Sequence, residues 1–274
     1  MFKIIIMALL IFIGMVGYDN ITDKAQSTTP VQQEQQKVSK HEKSAAMALF
    51  TSLLPPKEEW PSPVHKFYLA FNMDEVIDPI RQNPNWTSLD AMSRDIPQAL
   101  IAIEDHAFYN HGAIAVEGIL RAALANINAG EVVQGGSTLT QQFVKNVFLS
   151  HEQSMERKIE EAVLSLMLED NYSKDEILEL YLNTTYFGAG STGIKQASKT
   201  YFGKAPSALT LAEAAVIASL PYAPTSLNPL ENPDGCKKRQ LLVLAAMHKY
   251  GMINQGQLAE AKAEKIRLTN GTVM

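Results

Sequence analysis

The chain has 274 residues and a formal net charge of −5, and 46% of its residues are hydrophobic, as in an ordinary globular protein. This length allows a substantial core, in one large domain or two small ones. The negative charge argues against a nucleic-acid-binding protein, whose usual footprint is a basic face. The single cysteine, Cys236, excludes an intramolecular disulfide and a multi-cysteine metal site, so we expect a buried, inert thiol.

The first 59 residues differ in composition from the rest of the chain. Residues 4–17 form an apolar run that would span about 21 Å as a helix, short of the roughly 30 Å hydrocarbon core of a bilayer. By the length of this run, residues 1–17 are typical of a signal peptide, which would deliver the rest of the chain outside the cytoplasm. Residues 18–59 are polar and rich in glutamine at first, which predicts a linker or stalk.

From Ile96 onward, apolar periodicity and capping signals predict helices, and no convincing run of alternating strand residues appears. Pro97 suits a first helical turn, and Ser173 to Glu176 reads as a capping box. The fold class is therefore predicted to be mainly α. The expected helices cover 99–104, 118–128, 155–170, a segment after the capping box, 211–220, and 239–250 with Gly251 at its C-cap.

The run from 135 to 146 (Gly-Gly-Ser-Thr-Leu-Thr-Gln-Gln-Phe-Val-Lys-Asn) is the most informative segment. Ser137 can cap a helix that follows the two glycines. Such a helix would carry Thr138, Gln141, Gln142 and Lys145 on one polar face. A glycine turn with free backbone amides and a nearby lysine suits an anion such as a phosphate. The same pattern also fits a capped amphipathic helix with a solvated polar face.

Two carboxylates are candidates for chemistry. Glu104 ends the apolar run from 99 to 103, which would carry it into a cleft wall, where desolvation raises the pKa of a carboxyl group. A surface glutamate at a helix end is the alternative. Further on, Arg157 and Glu161 are spaced to share one helical face, which is also the spacing of a routine ion pair. Periodicity alone does not choose between Glu160 and Glu161.

Five segments in this order resemble glycosyltransferase family 51, the peptidoglycan glycan-chain polymerases. The resemblance covers about 60–262 and leaves 263–274 as a C-terminal tail. It implies a lysozyme-like helical glycosyltransferase domain with a smaller membrane-proximal lobe. The segments that carry it are 104–111, 135–146, 157–161, 175–183 and 239–247.

The resemblance also implies an activity. The lipid-linked growing glycan would be transferred onto the GlcNAc 4-hydroxyl of lipid II, with inversion to a β-1,4 bond and release of undecaprenyl pyrophosphate. Glu104 would be the general base. Glu161 would assist departure of the pyrophosphate, directly or as ligand of a divalent cation, for which carboxylates favour Mg²⁺ or Mn²⁺. No organic cofactor is expected.

Arg239 is a candidate support residue near the cleft. The implied substrate-binding residues are His111, Ser137, Thr138, Gln141, Gln142, Lys145, Arg157 and Lys158.

The resemblance implies an uncleaved membrane anchor at 1–17. The expected location is the cell envelope, on the outer, periplasmic face of the cytoplasmic membrane, reached either by that anchor or after cleavage of a signal peptide. The expected partners are lipid II, the lipid-linked glycan chain, the membrane and a separate transpeptidase, since no Ser-x-x-Lys with a Lys-Thr-Gly partner occurs. Alternatives are an inactive envelope scaffold of the same fold and a lysozyme-like glycan-cleaving enzyme. The scaffold alternative is kept open because four positions depart from the family pattern: Ala113, Ala115, Gln153 and Ala189.

Overall fold

The structure is a computed structural model that describes residues 68–119, 135–149 and 154–274. The chain divides into two units, Met1–Leu69 and Ala70–Met274, and nearly all of the described residues belong to the second. The predicted leader at 1–17 and linker at 18–59 lie outside the described residues. Most of the predicted helix at 118–128 also lies outside them.

The described part of the second unit is built from α-helices joined by short loops. No β-strand occurs in the described ranges, where only the isolated bridges Tyr186–Thr192 and Arg267–Val273 are found. The prediction of a mainly α fold is therefore confirmed, and the membrane-proximal lobe stays a prediction. The helices, in chain order, are α1 (Asp74–Arg81), α2 (Asp95–Glu104), α3 (Leu139–Phe148), α4 (Met155–Asn171), α5 (Lys174–Thr184), α6 (Ile194–Phe202), α7 (Leu211–Ser219), α8 (Pro233–Lys249) and α9 (Gln255–Ala263).

The core is centred on α7, in which every residue from 212 to 219 is buried. This helix packs against both α2 and α8, and these two also pack against each other. Four alanines of α7 give it a narrow cross-section, so the backbones of its neighbours can approach closely. The end of α2 at Glu104 thereby comes near Arg239 of α8.

A second group of packed helices places α3 between α4 and α5. Reciprocal capping boxes start α3 at Thr138, α5 at Ser173 and α7 at Thr210. The predicted box from Ser173 to Glu176 is confirmed, and so is the helix predicted at 155–170. These caps satisfy backbone amides that would otherwise have no partner at the helix start.

Two boundaries differ from the predictions. The last strong helix begins at Pro233, six residues before the predicted start, because Asn232 accepts from the Gly235 amide and Pro233 suits the first turn. The segment at 263–274, predicted as a tail, is folded into the second unit. Ile266 and Leu268 are buried there, which anchors it to the core.

Cys236 is buried, as predicted, and burial raises the pKa of its thiol to about 11. None of the described helices combines the length and the apolarity needed to cross a bilayer.

Candidate active site

Glu104 is the last residue of α2 and lines a cavity of about 390 Å³. Burial raises the pKa of its carboxyl group, because the charged form is less well solvated there. The positive charges of Arg239 and Lys145 and a hydrogen bond from Gln142 act in the opposite direction. The cavity is lined by 104–107, Asn110, His111, residues 114–118 and residues 135–138.

Gln142 connects Glu104 to a buried tyrosine. Its Nε2 donates to Glu104 Oε2 at 3.1 Å, and its Oε1 accepts from the hydroxyl of Tyr181 at 3.0 Å. Tyr181 on α5 is almost fully buried. The predicted polar face of α3 therefore includes a residue that contacts the candidate base, and contact of Gln142 with a substrate stays a prediction.

Asp105 links the end of α2 to the start of α3, and no pattern in the sequence marks it for this role. Its Oδ2 accepts from the backbone amide of Leu139 at 3.0 Å, and its Oδ1 lies 2.6 Å from His111 Nε2. The other ring nitrogen of His111 lies 2.6 Å from the carbonyl oxygen of Gly112. Both ring nitrogens face acceptors, an arrangement that only the doubly protonated ring satisfies in full, and the hydrogen bond to Asp105 raises the pKa of His111.

The start of α3 corrects one prediction. The N-cap is Thr138, and not Ser137: the Thr138 hydroxyl accepts from the Gln141 amide at 3.1 Å and donates to the Ala113 carbonyl at 2.8 Å. Gln141 completes the capping box, since its Oε1 accepts from the Thr138 amide at 3.0 Å. Both residues are buried, so the structure gives them a role in shaping this wall. Direct contacts of either with substrate stay predictions.

Glu161 on α4 is the inward-facing glutamate of the pair at 160 and 161, with 2% of its side chain exposed. Arg157 donates to one carboxylate oxygen at 3.2 Å, and Lys158 is paired with the other. Lys158 also donates to Ser137 Oγ at 3.2 Å. Since Ser137 lines the same cavity as Glu104, this contact links the second carboxylate and its cations to the cavity rim.

Two further cations lie near Glu104. Lys145 is on the exposed side of α3 and stabilises the charged form of Glu104 through space. Arg239 on α8 does the same, and its guanidinium stacks on the Tyr222 ring at 4.1 Å. This places Arg239 near Glu104, and its role as a support residue of the cleft stays a prediction.

The residues around Glu161 do not suit a divalent cation. Both oxygens of its carboxylate already contact positive side chains, which a metal ion would have to displace. In the described ranges, no group of three or more His, Cys, Asp or Glu residues is close enough to hold a metal. The predicted Mg²⁺ or Mn²⁺ therefore finds no ready set of ligands at this carboxylate.

Three of the four positions that depart from the family pattern are described, and none disrupts the carboxylates. Ala113 is buried, and its carbonyl oxygen accepts a hydrogen bond from the hydroxyl of Thr138, the N-cap of α3. Ala115 lines the cavity. Ala189 is exposed and has a positive φ of 48°, in a turn between glycines. Gln153 lies outside the described residues.

The helical fold and this site together define an enzyme-like cleft with one desolvated carboxyl group and a second carboxylate held by cations. Comparisons with known proteins agree with that class. Residues 73–248 match the family described as Transglycosylase. A Cupriavidus necator protein predicted to be a transglycosylase is 40% identical over 194 residues, which cover 71% of this chain and 84% of that protein.

Longer relatives match over the same region. Penicillin-binding protein 1F of Bacillus subtilis is 40% identical over 72% of this chain and 28% of its own length. Penicillin-binding protein 1A of Neisseria flavescens is 44% identical over 68% of this chain and 23% of its own length. The chain thus spans about a quarter of the length of these two proteins. The crystal structure of penicillin-binding protein 1A from Haemophilus influenzae matches 48% of this chain and 16% of that chain at 33% identity, with a TM-score of 0.34.

The family match covers most of the chain, so this protein belongs to the transglycosylase family, and the resemblance to glycosyltransferase family 51 is confirmed.

Proposed function

We propose that this protein is a peptidoglycan glycosyltransferase that acts at the cell envelope, on the outer face of the cytoplasmic membrane. It would transfer the lipid-linked growing glycan onto the GlcNAc 4-hydroxyl of lipid II, with inversion to a β-1,4 bond and release of undecaprenyl pyrophosphate. Membership of the transglycosylase family supports the reaction class. The observation that carries the assignment of roles is the contrast between the environments of Glu104 and Glu161.

Glu104 has the properties of a general base. A carboxylate with a raised pKa binds a proton more strongly than an exposed one, and hydrogen bonding and nearby cations still favour its ionised form. Its position on the cavity wall leaves room for a sugar hydroxyl to approach. The proton of the 4-hydroxyl would pass to Glu104 as the acceptor oxygen attacks the anomeric carbon of the donor.

The cation cluster around Glu161 has the properties of a site for the leaving group. Negative charge develops on the pyrophosphate as the bond from C1 to oxygen breaks, and cations fixed beside it stabilise that charge. Glu161 holds Arg157 and Lys158 in place, and Lys158 also reaches Ser137 at the cavity rim. A neutral glycan offers nothing to such cations, so this cluster favours a transferase over a glycan-cleaving enzyme.

The predicted partners and cofactors belong to this proposal. Lipid II, the lipid-linked glycan and the membrane are the proposed partners on the substrate side, and a separate transpeptidase would cross-link the product. Mg²⁺ or Mn²⁺ stays a prediction, and no reaction step is assigned to it, because the oxygens of Glu161 are engaged by Arg157 and Lys158.

The experiment is polymerisation of labelled lipid II by the purified full chain, with and without Mg²⁺. Glu104→Gln removes the base, and Glu161→Gln removes the carboxylate that holds the two cations. Each is expected to lower the rate by 10²-fold or more, in line with the usual contribution of a general base or a charge-stabilising group, about 10²–10⁴-fold.

The matched control is Glu160→Gln, which alters the neighbouring carboxylate on the same helix and should retain activity. Equal losses in the variants at 160 and 161 would contradict the assignment of Glu161. A folded native protein that binds lipid II and forms no polymer would overturn the synthase proposal in favour of the scaffold alternative.

A further inference from the structure

A hydrogen-bond chain approaches Glu104 from the core, on the side away from the cavity lining. It runs from Tyr181 on α5, through Gln142 on α3, to Oε2 of Glu104, with lengths of 3.0 and 3.1 Å. Tyr181 is 1% exposed and is absent from the cavity lining. Its hydrogen-bonded connection to Glu104 therefore runs through Gln142, beside the through-space effect that the two groups have on each other, and it does not touch a substrate in the cavity.

The direction of the chain is fixed by the chemistry of the side-chain amide. A glutamine has an acceptor oxygen at one end and a donor nitrogen at the other. Because the Tyr181 hydroxyl donates to Oε1 of Gln142, the Nε2 group must face Glu104. A donor aimed at a carboxylate favours its ionised form over its protonated form.

An ionised Glu104 needs a hydrogen-bond donor from Gln142, whereas a protonated Glu104 needs an acceptor. A protonated carboxyl group is best paired with an acceptor, which rotation of the Gln142 amide would provide through Oε1. The Nε2 group would then donate to the phenol oxygen of Tyr181. The phenol would need another acceptor for its own proton, since it could no longer donate to Gln142.

Thr185 can accept that proton. It follows Tyr181 by one helical turn, at the C-cap of α5, and its hydroxyl acts on the pKa of the Tyr181 phenol. Its Oγ1 is buried, lies close enough to the Tyr181 phenol to lower the pKa of that phenol by hydrogen bonding, and makes no other hydrogen bond among the described residues. A hydroxyl is both a donor and an acceptor, so Thr185 and Tyr181 can exchange these two roles at the end of the chain.

We propose that Tyr181 is a positioning residue for the base: acting through Gln142 it favours ionised Glu104, and Thr185 lets the chain reverse when Glu104 takes a proton. The inference rests on the proposed role of Glu104. No proton moves along the chain. The proton from the acceptor hydroxyl stays on Glu104, while the amide and the two hydroxyls only change the direction in which they donate.

Other charged groups also act on Glu104. They are Asp105, which follows it in the chain, Lys145 on α3 and Arg239 on α8. None of them is changed by substitutions at 142, 181 or 185. Differences between those variants and the native protein therefore report on the chain itself.

The test is a direct titration of Glu104 by carboxyl ¹³C NMR in the full chain, with the signal assigned by its loss in Glu104→Gln. Tyr181→Phe removes one hydroxyl and leaves the buried ring. We expect it to raise the pKa of Glu104 by about half to one pH unit, as the loss of one neutral hydrogen bond implies. The matched control is Tyr201→Phe, which removes the hydroxyl of another fully buried tyrosine, one that donates to the Phe187 carbonyl at 2.7 Å. This control should leave the pKa of Glu104 unchanged.

Two further variants keep the test decisive if Tyr181→Phe does not fold. Gln142→Leu should also raise the pKa of Glu104, and adding Tyr181→Phe should raise it little further, because the hydrogen-bonded path from Tyr181 to Glu104 runs through Gln142. Thr185→Val should change it less than Tyr181→Phe does, because the Thr185 hydroxyl can pair with Tyr181 in either direction. Additive effects of Tyr181→Phe and Gln142→Leu, or an unchanged pKa in both, would overturn the inference.

The titration needs no turnover, so its outcome is separable from the fate of the proposed function. If the native protein polymerises lipid II, the acid limb of kcat/KM in Tyr181→Phe should move to higher pH, parallel to the NMR shift. If the native protein is inactive and the pKa shifts still occur, the hydrogen-bond chain stands and the role of Glu104 as a base fails.

Discussion

Asp105 accepts a hydrogen bond at 3.0 Å from the backbone amide of Leu139, and so ties the residue after Glu104 to the first residue of α3. The same helix, one turn later, carries the Gln142 side chain that returns to Glu104. The candidate base is therefore enclosed in a small ring of contacts between α2 and α3. Its position depends on the start of α3 as much as on its own helix.

This ring predicts the effect of Asp105→Asn. The asparagine keeps an oxygen for Leu139 but turns an amide donor toward Nε2 of His111, so the hydrogen bond from the ring to a carboxylate is lost. The free energy of unfolding in urea should fall by about 2 kcal/mol, and polymerisation should fall with it. Asp90→Asn, at an exposed position, should change stability by less than about 0.5 kcal/mol. Equal stabilities of the two variants would contradict the role of Asp105.

The pair of His111 and Asp105 makes stability depend on pH. The pKa of His111 is raised in the folded protein, so the folded state binds this proton more strongly than the unfolded state. The stabilisation is complete below the unfolded pKa, about 6.5, and is lost as pH rises through the folded value. The free energy of unfolding, measured in urea, should decline from pH 6 to pH 9 in the native protein. It should decline less over the same range in His111→Gln. Parallel profiles would exclude this contribution.

Thr138 and Ser137 carry adjacent hydroxyls, and we expect only that of Thr138, the N-cap of α3, to contribute to stability. Thr138→Ala removes the hydroxyl that accepts from Gln141 and donates to Ala113, both in buried positions. We expect it to lower the free energy of unfolding by about 1–2 kcal/mol. Thr138→Ser should recover most of this loss, and Ser137→Ala should change stability by less than about 0.5 kcal/mol. A larger effect at 137 than at 138 would restore Ser137 as the cap.

Ser137 should matter for activity instead. Its hydroxyl accepts from Lys158, whose side chain is 43% exposed, so solvent weakens the contact. Ser137→Ala should lower kcat/KM for lipid II by about two- to fivefold, without loss of stability. Ser137→Thr keeps a hydroxyl and should retain activity. If the alanine and threonine variants were equally active, Lys158 would not depend on this contact.

The helices that the sequence predicted best are those with strong local signals. The capping box at Ser173 and the apolar periodicity of α4 and α7 need no tertiary information. By contrast, the N-cap of α6 is Gly193, whose φ is +84° and which offers no capping side chain. The early start of α8 was present in the sequence as Asn232 followed by Pro233, and was missed because the apolar pattern there is weak.

The site was predicted less completely, because its contacts join distant parts of the chain. The resemblance selected Glu104 and Glu161, and only the folded helix shows that Glu161 faces inward. Asp105 was not predicted because its partner Leu139 is 34 residues away in the sequence. Tyr181 was not predicted because its partner Gln142 is 39 residues away. A single sequence identifies residue types suited to chemistry but not which of them meet.

The narrow α7 has a consequence for electrostatics. Glu104 ends α2 and Arg239 lies on α8, and both of these helices pack against the buried alanines of α7. A bulkier side chain at a buried position such as Ala215 is expected to displace the neighbouring helices, and any increase in the separation of Glu104 and Arg239 would weaken the effect of that positive charge on the carboxyl group. The volume of uncharged methyl groups in the hydrophobic interior would then act on the acidity of the cleft.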